Sequence, residues 1–258
     1  MNPIIFITGA TSGFGRAIAE IFAAAQYNCI ITGRREAQLI AFAKDLQQKH
    51  GGHVLPLVFD IQNKQEVSDT IKQIPTAWHK IDILVNNAGL ALGREGFENA
   101  SIDDWDTMID TNVKGLLYVS RAIIPHMTQR KKGHIINIGS IAGKEVYKNG
   151  NVYCASKSAV DAISASMRID LLSYGIKVTA IHPGAAETEF SLVRFKGNKA
   201  EAHHVYEGYT PLSAQDIADV VYYCATLPAH VCINDLVVTC TAQASPHYLY
   251  KDSAVISI

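Results

Sequence analysis

The 258-residue sequence has no excess of either charge. Its 23 Lys and Arg residues stand against 24 Asp and Glu, for a formal net charge of -1. A nucleic-acid-binding surface would show a basic excess or stripe, so that class is excluded. No run approaches the ~18 to 20 apolar residues that span a bilayer, so no membrane partner is expected. There is no C-x-x-C pair, and Cys29, Cys154, Cys224, Cys232 and Cys240 make an odd number. They read as reduced thiols of a cytosolic protein, not as a disulfide framework. No leader peptide is expected either, because a strand-like run starts at Ile4 and a glycine motif follows at Thr8. Metal-ligand spacing is missing too. His203-His204 has no partner nearby, and Asp103, Asp104 and Asp106 sit at a helix start where the dipole accounts for them. With 48% hydrophobic residues and 18% charged ones, the chain belongs among ordinary globular proteins able to bury a core.

Short β-branched runs alternate with longer amphipathic stretches. Strands are expected at Ile4–Thr8, Asn28–Thr32, His53–Phe59, Ile83–Asn86, His134–Ile138, Lys177–Ile181 and Leu236–Thr239. Helices are expected at Phe14–Ala25, Arg35–Lys49, Lys64–Ile74, Ser101–Thr128, Tyr153–Ser173 and Ser213–Leu227. Ser101-x-x-Asp104 and Ser213-x-x-Asp216 have the form of capping boxes, with Asp in place of Glu. The alternation predicts an α/β fold: a doubly wound, Rossmann-like parallel sheet of about seven strands with helices on both faces. Residues 1–243 read as one domain, with a lid of no clear periodicity at about 185–212. The tail, 244–258, ends in an apolar run and is expected to be disordered or docked on a partner subunit.

Directly after the first strand come Thr8, Gly9, Ala10, Thr11, Ser12, Gly13, Phe14 and Gly15. Glycines at G-x-x-x-G-x-G spacing let backbone N–H groups approach a pyrophosphate at a helix N-terminus. After the second strand, Arg34 and Arg35 replace the acidic residue that would bind an adenosine ribose 2′-hydroxyl. Two guanidiniums there suit a 2′-phosphate, so NADP (NADPH) is the expected cofactor.

Tyr153 and Lys157, four apart at a helix start, share a face, and Ser140 lies just beyond a strand end. A phenol has a pKa of ~10, and bringing it to about 7 takes ~4 kcal/mol. One ammonium at ~4 Å supplies about that at an effective dielectric near 20. Tyr153 is therefore the expected acid/base, with Ser140 holding the carbonyl oxygen. Cys154 has no His base in reach, and His182 reads as a strand-end structural residue. Trp105 and Met108 read as core contacts.

Taken with Asn86-Asn87-Ala88-Gly89 and Pro183-Gly184, these motifs resemble the short-chain dehydrogenases/reductases over nearly the whole chain. The resemblance implies that Asn112 completes a Ser-Tyr-Lys-Asn tetrad, holding a water in the proton relay to Lys157. It implies that Asp60 and Ile61 contact adenine, that Asn87 lies on the ribose side, and that Ala88 and Gly89 also border the cofactor. It further implies that Pro183, Gly184 and Thr188 wrap the nicotinamide and pyrophosphate, and that Lys157 also bonds the nicotinamide ribose.

A narrower similarity, carried by Ile81–Gly93, Gly150–Tyr153, Thr188–Gly197 and Thr226–Asn234, is to the NADP-dependent 3-hydroxy acid (serine 3-) dehydrogenases. It implies a small 3-hydroxy acid substrate of the L-serine, L-allo-threonine or malonic semialdehyde class, and a homo-oligomer, typically a tetramer. Ile141–Asn149 and Ala185–Glu187 depart from that subgroup beside the substrate pocket. Arg194, or secondarily Lys144, is the expected partner of a substrate carboxylate. Two alternatives stand beside this reading: a reductase of another small ketone or alcohol, and a nicotinamide-binding sensor without turnover.

Overall fold

In the computed structural model, which describes residues 2–252, all four residues of β1 (Ile4–Ile7) are buried. Alternate side chains of a strand point to opposite faces, so a strand that is apolar throughout needs cover on both. Ile5 and Ile7 pack with α1 (Gly13–Ala24), α2 (Glu36–His50) and α9 (Ala214–Thr226) through Phe22, Phe42 and Val221. Ile4 and Phe6 pack with α3 (Lys64–Lys72), α5 (Leu116–Thr128) and α6 (Asn151–Asp170) through Ile71, Ile123 and Val160. Between α3 and α5 lies the short helix α4 (Ile102–Ile109).

The sheet continues with β2 (Asn28–Gly33), β3 (Val54–Val58), β4 (Ile81–Asn86), β5 (Gly133–Ile138), β6 (Ile176–Pro183) and β7 (Asp235–Val238). Its order is β3-β2-β1-β4-β5-β6-β7, and every neighbouring pair is parallel. This is the expected doubly wound Rossmann-like sheet. The chain moves outward from β1 through β3, then returns to β4 on the other side. Loops leaving β1 and β4 therefore part, and a crevice opens at the strands' carboxyl ends.

Two local expectations are corrected, and two segments gain detail. The helix expected over Ser101–Thr128 is interrupted by a π-helical turn at Asp110–Gly115. There the Asn112 side chain bonds both the N–H and the carbonyl of Leu90, drawing the wider turn inward. Ser213 and Asp216 form a full capping box, but Ser101 forms only half of one. Asp104 instead turns its carboxylate to Lys196 at 2.8 Å. The lid contains α7 (Glu189–Arg194) and α8 (Lys199–His204). Thr188 and Asn198 cap them, and six residues are too few to register a 3.6-residue period. Finally, residues 244–252 fold back on their own chain. Tyr250 N–H donates to Ala242, Asp252 N–H to Gly208, and Lys251 Nζ to the His204 carbonyl. The apolar run Ala254–Ile258 lies outside the described residues. Among those residues no helix is long and apolar enough to cross a membrane.

Candidate active site

A cavity of about 1210 Å³ occupies the crevice, roofed by the lid and by Pro246, Leu249 and Lys251. Of the residues singled out above, Gly9, Thr11, Ser12, Gly13, Phe14, Arg34, Arg35, Asp60, Ile61, Asn87, Ala88 and Gly89 line one end. Ser140, Tyr153, Lys157, Pro183, Gly184, Thr188 and Arg194 line the same cavity. Ala10, Gly15 and Asn112 stand behind the wall: Ala10 is fully buried, and a Cβ on Gly15 would collide with the Gly9 carbonyl oxygen.

The glycine end has the shape of a phosphate cradle. Gly9 sits at φ 67°, where a Cβ would also come within 2.9 Å of the Ala88 backbone. Asn87 spends its side-chain amide on the Thr8 and Gly9 carbonyls, so it holds the loop. Ser12, the N-cap of α1, puts no side-chain oxygen on the first-turn amides, leaving that helix end to an anion. Thr32 Oγ1, in the cavity wall, is buried with no hydrogen-bond partner among the described residues. A bare loop, a free helix end and an orphaned hydroxyl fit a dinucleotide.

Both arginines flank this end. Arg34 pairs with Asp60 at 3.3 Å. Arg35 donates to Thr11 Oγ1 at 2.8 Å and Ser12 Oγ at 2.8 Å, and pairs with Glu189 of the lid at 3.1 Å. Glu189, which the sequence did not single out, thus bridges lid and glycine loop. Both pairs are largely exposed, where ion pairs are worth ~0 to 1 kcal/mol. A dianionic phosphate can displace either partner.

At the other end Tyr153 is buried in a small cluster with Ala91, Met108, Ala142 and Cys154, its ring 5.6 Å from that of Phe190. Trp105 packs on the same cluster, so its core reading and that of Met108 agree with the structure. Ser140 Oγ accepts the Ala142 N–H at 3.1 Å, leaving its own hydrogen to donate. Lys157 Nζ donates to the Ile138 carbonyl at 3.0 Å, and burial lowers its pKa to about 8.

These contacts set the electrostatics of Tyr153 in the cofactor-free chain. Burial is the largest influence on the phenol and pushes its pKa up, not down. A hydrogen bond with Ser140 and the charge of Arg194 pull it back. Lys157 shares the helix face as expected, but its ammonium is turned to the β5 end. The Asn112 amide is likewise committed, to Leu90 at 2.8 Å and Ser156 Oγ at 3.0 Å.

Arg194, at the end of α7, reaches the same pocket. Its Nε donates to the Gly93 carbonyl at 3.2 Å and Nη1 to Tyr147 Oη at 2.9 Å. The guanidinium carbon is 5.6 Å from the centroids of both the Tyr147 and the Tyr153 rings. Nη2 has no protein acceptor among the described residues. Lys144 is a poorer candidate: it lies outside the cavity wall, bonded to Asp161 and Asp235. The sequence missed Tyr147 and Gln243. Gln243 Oε1 accepts the Ala185 N–H at 2.7 Å and so holds the loop after Gly184. Neither sits at a periodic or motif position. All five cysteines are free thiols. Asp161, His182 and Asp235 bring ligand-type atoms within 4.8 Å of one another, but the Lys144 ammonium already serves the two carboxylates as cation.

The short chain dehydrogenase family model matches residues 3–198. The NADP-dependent 3-hydroxy acid dehydrogenase YdfG of Salmonella typhi is 48% identical over 232 residues, 90% of this chain and 92% of that protein. Sulfoacetaldehyde reductase 2 of Chromohalobacter salexigens is 45% identical over 245 residues, 95% of this chain and 96% of that protein. Among solved structures, a closed form of serine dehydrogenase complexed with NADP+ superposes with a TM-score of 0.90. It is 43% identical, and the match covers 96% of this chain and 98% of that one.

Proposed function

Because the chain belongs to the short-chain dehydrogenases, we propose that this oxidoreductase uses NADP to interconvert a small 3-hydroxy acid and its 3-oxo acid. The observation that carries the reading is Arg194. It places a guanidinium with a free nitrogen beside the Tyr153 ring, inside the cavity that the glycine loop also lines. NADP, when bound, supplies the hydride acceptor or donor. The glycine loop and the α1 N-terminus would hold its pyrophosphate, and Arg34 and Arg35 its 2′-phosphate. Asp60 and Ile61 would border the adenine, Asn87, Ala88 and Gly89 the ribose, and Pro183, Gly184 and Thr188 the nicotinamide side.

Ser140 donates its hydroxyl hydrogen to the substrate oxygen, and Tyr153 Oη passes the proton to or from that oxygen. Lys157, whose ammonium donates to the Ile138 carbonyl, would also bond the nicotinamide ribose. Asn112 holds the Leu90 backbone beside Gly89. Arg194 pairs with the substrate carboxylate through Nη2, fixing which carbon faces the cofactor. The segment Ile141–Asn149 bears on this step, because it contains Tyr147, which aims the guanidinium.

A guanidinium holds a sulfonate as readily as a carboxylate, and the 45% identical relative is a sulfoacetaldehyde reductase. A small sulfonate aldehyde is therefore the second reading of the same site. Either way Arg194→Ala is expected to raise KM for the anionic substrate roughly 10- to 100-fold, the worth of one charge-assisted bond of about 1.5 to 3 kcal/mol. KM for a neutral alcohol should hardly move. Steady-state kinetics on both substrates checks this, and equal effects on the two would remove Arg194 from the role. As in the subgroup it resembles, the working molecule is proposed to be a cytoplasmic homotetramer.

A further inference from the structure

His182 is fully buried near the end of β6, directly ahead of Pro183-Gly184. Its ring lies flat against Gly139, where a Cβ would come within 2.5 Å of Nδ1. Nδ1 is 3.3 Å from the carbonyl oxygen of Ser140. A carbonyl only accepts, so this contact is a hydrogen bond in the tautomer that carries its proton on Nδ1. Nε2 lies 2.8 Å from Asp235 Oδ1 and 3.6 Å from Asp161 Oδ1. It is off the line of donation and has no hydrogen-bond partner among the described residues.

Lys144 Nζ joins the two carboxylates, at 2.6 Å from Asp235 and 3.0 Å from Asp161. Burial and the Lys144 charge hold the imidazole below its ordinary pKa, against the opposing pull of Asp235, Asp161 and the Ser140 bond. A neutral ring has one N–H to give, and the Ser140 carbonyl is the acceptor that meets hydrogen-bond geometry at Nδ1. Three parts of the site meet at this cluster. Lys144 follows Ser140 by four residues, Asp161 follows Lys157 by four on α6, and His182 precedes the Pro183-Gly184 loop.

We propose that His182 is a positioning residue for Ser140: its Nδ1–H fixes the Ser140 carbonyl, while Lys144, Asp161 and Asp235 close the far end of the ring's slot. Held in this way, the Ser140 backbone keeps the hydroxyl in line with Tyr153 and the substrate oxygen. Displacements of ~1 Å in such groups cost ~100-fold in rate. The inference rests on the role given to Ser140 above.

The test separates the ring's hydrogen bond from its bulk. The Asn amide nitrogen is attached at Cγ, as Nδ1 is, whereas the Gln amide nitrogen lies one bond farther out, toward the Nε2 position. In NADP-linked L-serine oxidation, His182→Asn is expected to keep kcat within about threefold. His182→Gln and His182→Leu should each lose about tenfold or more, with NADPH Kd unchanged in all three. Equal losses in the Asn and Leu variants, or wild-type kcat in the Gln and Leu variants, would overturn the proposal. Nitrogen-15 NMR of the wild-type enzyme reads the tautomer without any substitution. Protonated Nδ1 is expected, and protonated Nε2 alone would contradict it. Ser140→Ala distinguishes the two layers. Full activity there sinks the role of Ser140 itself, whereas a large loss there with an unaffected His182→Gln sinks only the positioning role.

Discussion

Tyr153→Phe is expected to lower kcat by about 1,000-fold or more in either direction, within the ~100- to 10,000-fold range of a positioned acid/base. The ring survives the substitution, so packing against Phe190, Met108 and Ala142 is kept and the melting temperature should hardly change. Dissociation constants for NADPH should stay within about twofold, because the change removes one oxygen from the substrate end of the cavity. The large effect follows from burial. A phenol pushed up by desolvation keeps its proton at neutral pH, which is the form that carbonyl reduction requires. It becomes a base for alcohol oxidation only with the help of Ser140, Arg194 and the charges brought by the bound cofactor. Stopped-flow or steady-state NADPH absorbance, paired with fluorescence titration of cofactor, measures both quantities. A variant within tenfold of the parent in kcat would mean that another group moves the proton.

The second large effect concerns cofactor choice. Replacing both Arg34 and Arg35 by Ala should weaken NADPH by roughly 100-fold, from about 3 kcal/mol of lost charge-assisted bonding. NADH, which lacks the 2′-phosphate, should change little. The guanidiniums are half exposed, so salt screens the interaction and the NADPH penalty should shrink as ionic strength rises. Glu189 makes the prediction more specific. It holds Arg35 at 3.1 Å from the lid side, so a phosphate must compete with it, and Glu189→Gln should tighten NADPH modestly. Kd values for both dinucleotides at two salt concentrations decide the matter. An equal loss for NADH and NADPH would place the arginines elsewhere in the cofactor's path.

Local chemistry made much of this molecule readable. β1 and the glycine loop form a continuous stretch in which apolar run, positive-φ glycine and helix start follow one another, so short-range rules suffice. Tyr153 and Lys157 share a helix turn, which spacing alone conveys. What spacing does not convey is where the Lys157 ammonium ends, because Ile138 belongs to a strand 19 residues earlier in the chain. Tyr147 stayed hidden for the same reason: its value lies in aiming Arg194, 47 residues away. Asp104 carried a plausible capping signal, yet a lysine from the lid outbid the Ser101 amide for its carboxylate. The returning tail is the extreme case. No residue in 244–252 has a distinctive pattern, and its hydrogen bonds reach Ala242, His204, Gly208 and Val146. Long-range partners, unlike periodicity, leave no mark in a single sequence.

The most direct measurement is a kinetic panel with the wild-type protein, comparing L-serine and 3-hydroxypropionate with neutral alcohols of the same size, each with NADP and with NAD. Pairing of Arg194 with a carboxylate, together with the two arginines at the ribose, predicts kcat/KM at least about tenfold higher for the acids and for NADP. Equal or better turnover of the neutral alcohols, or a preference for NAD, would contradict the account.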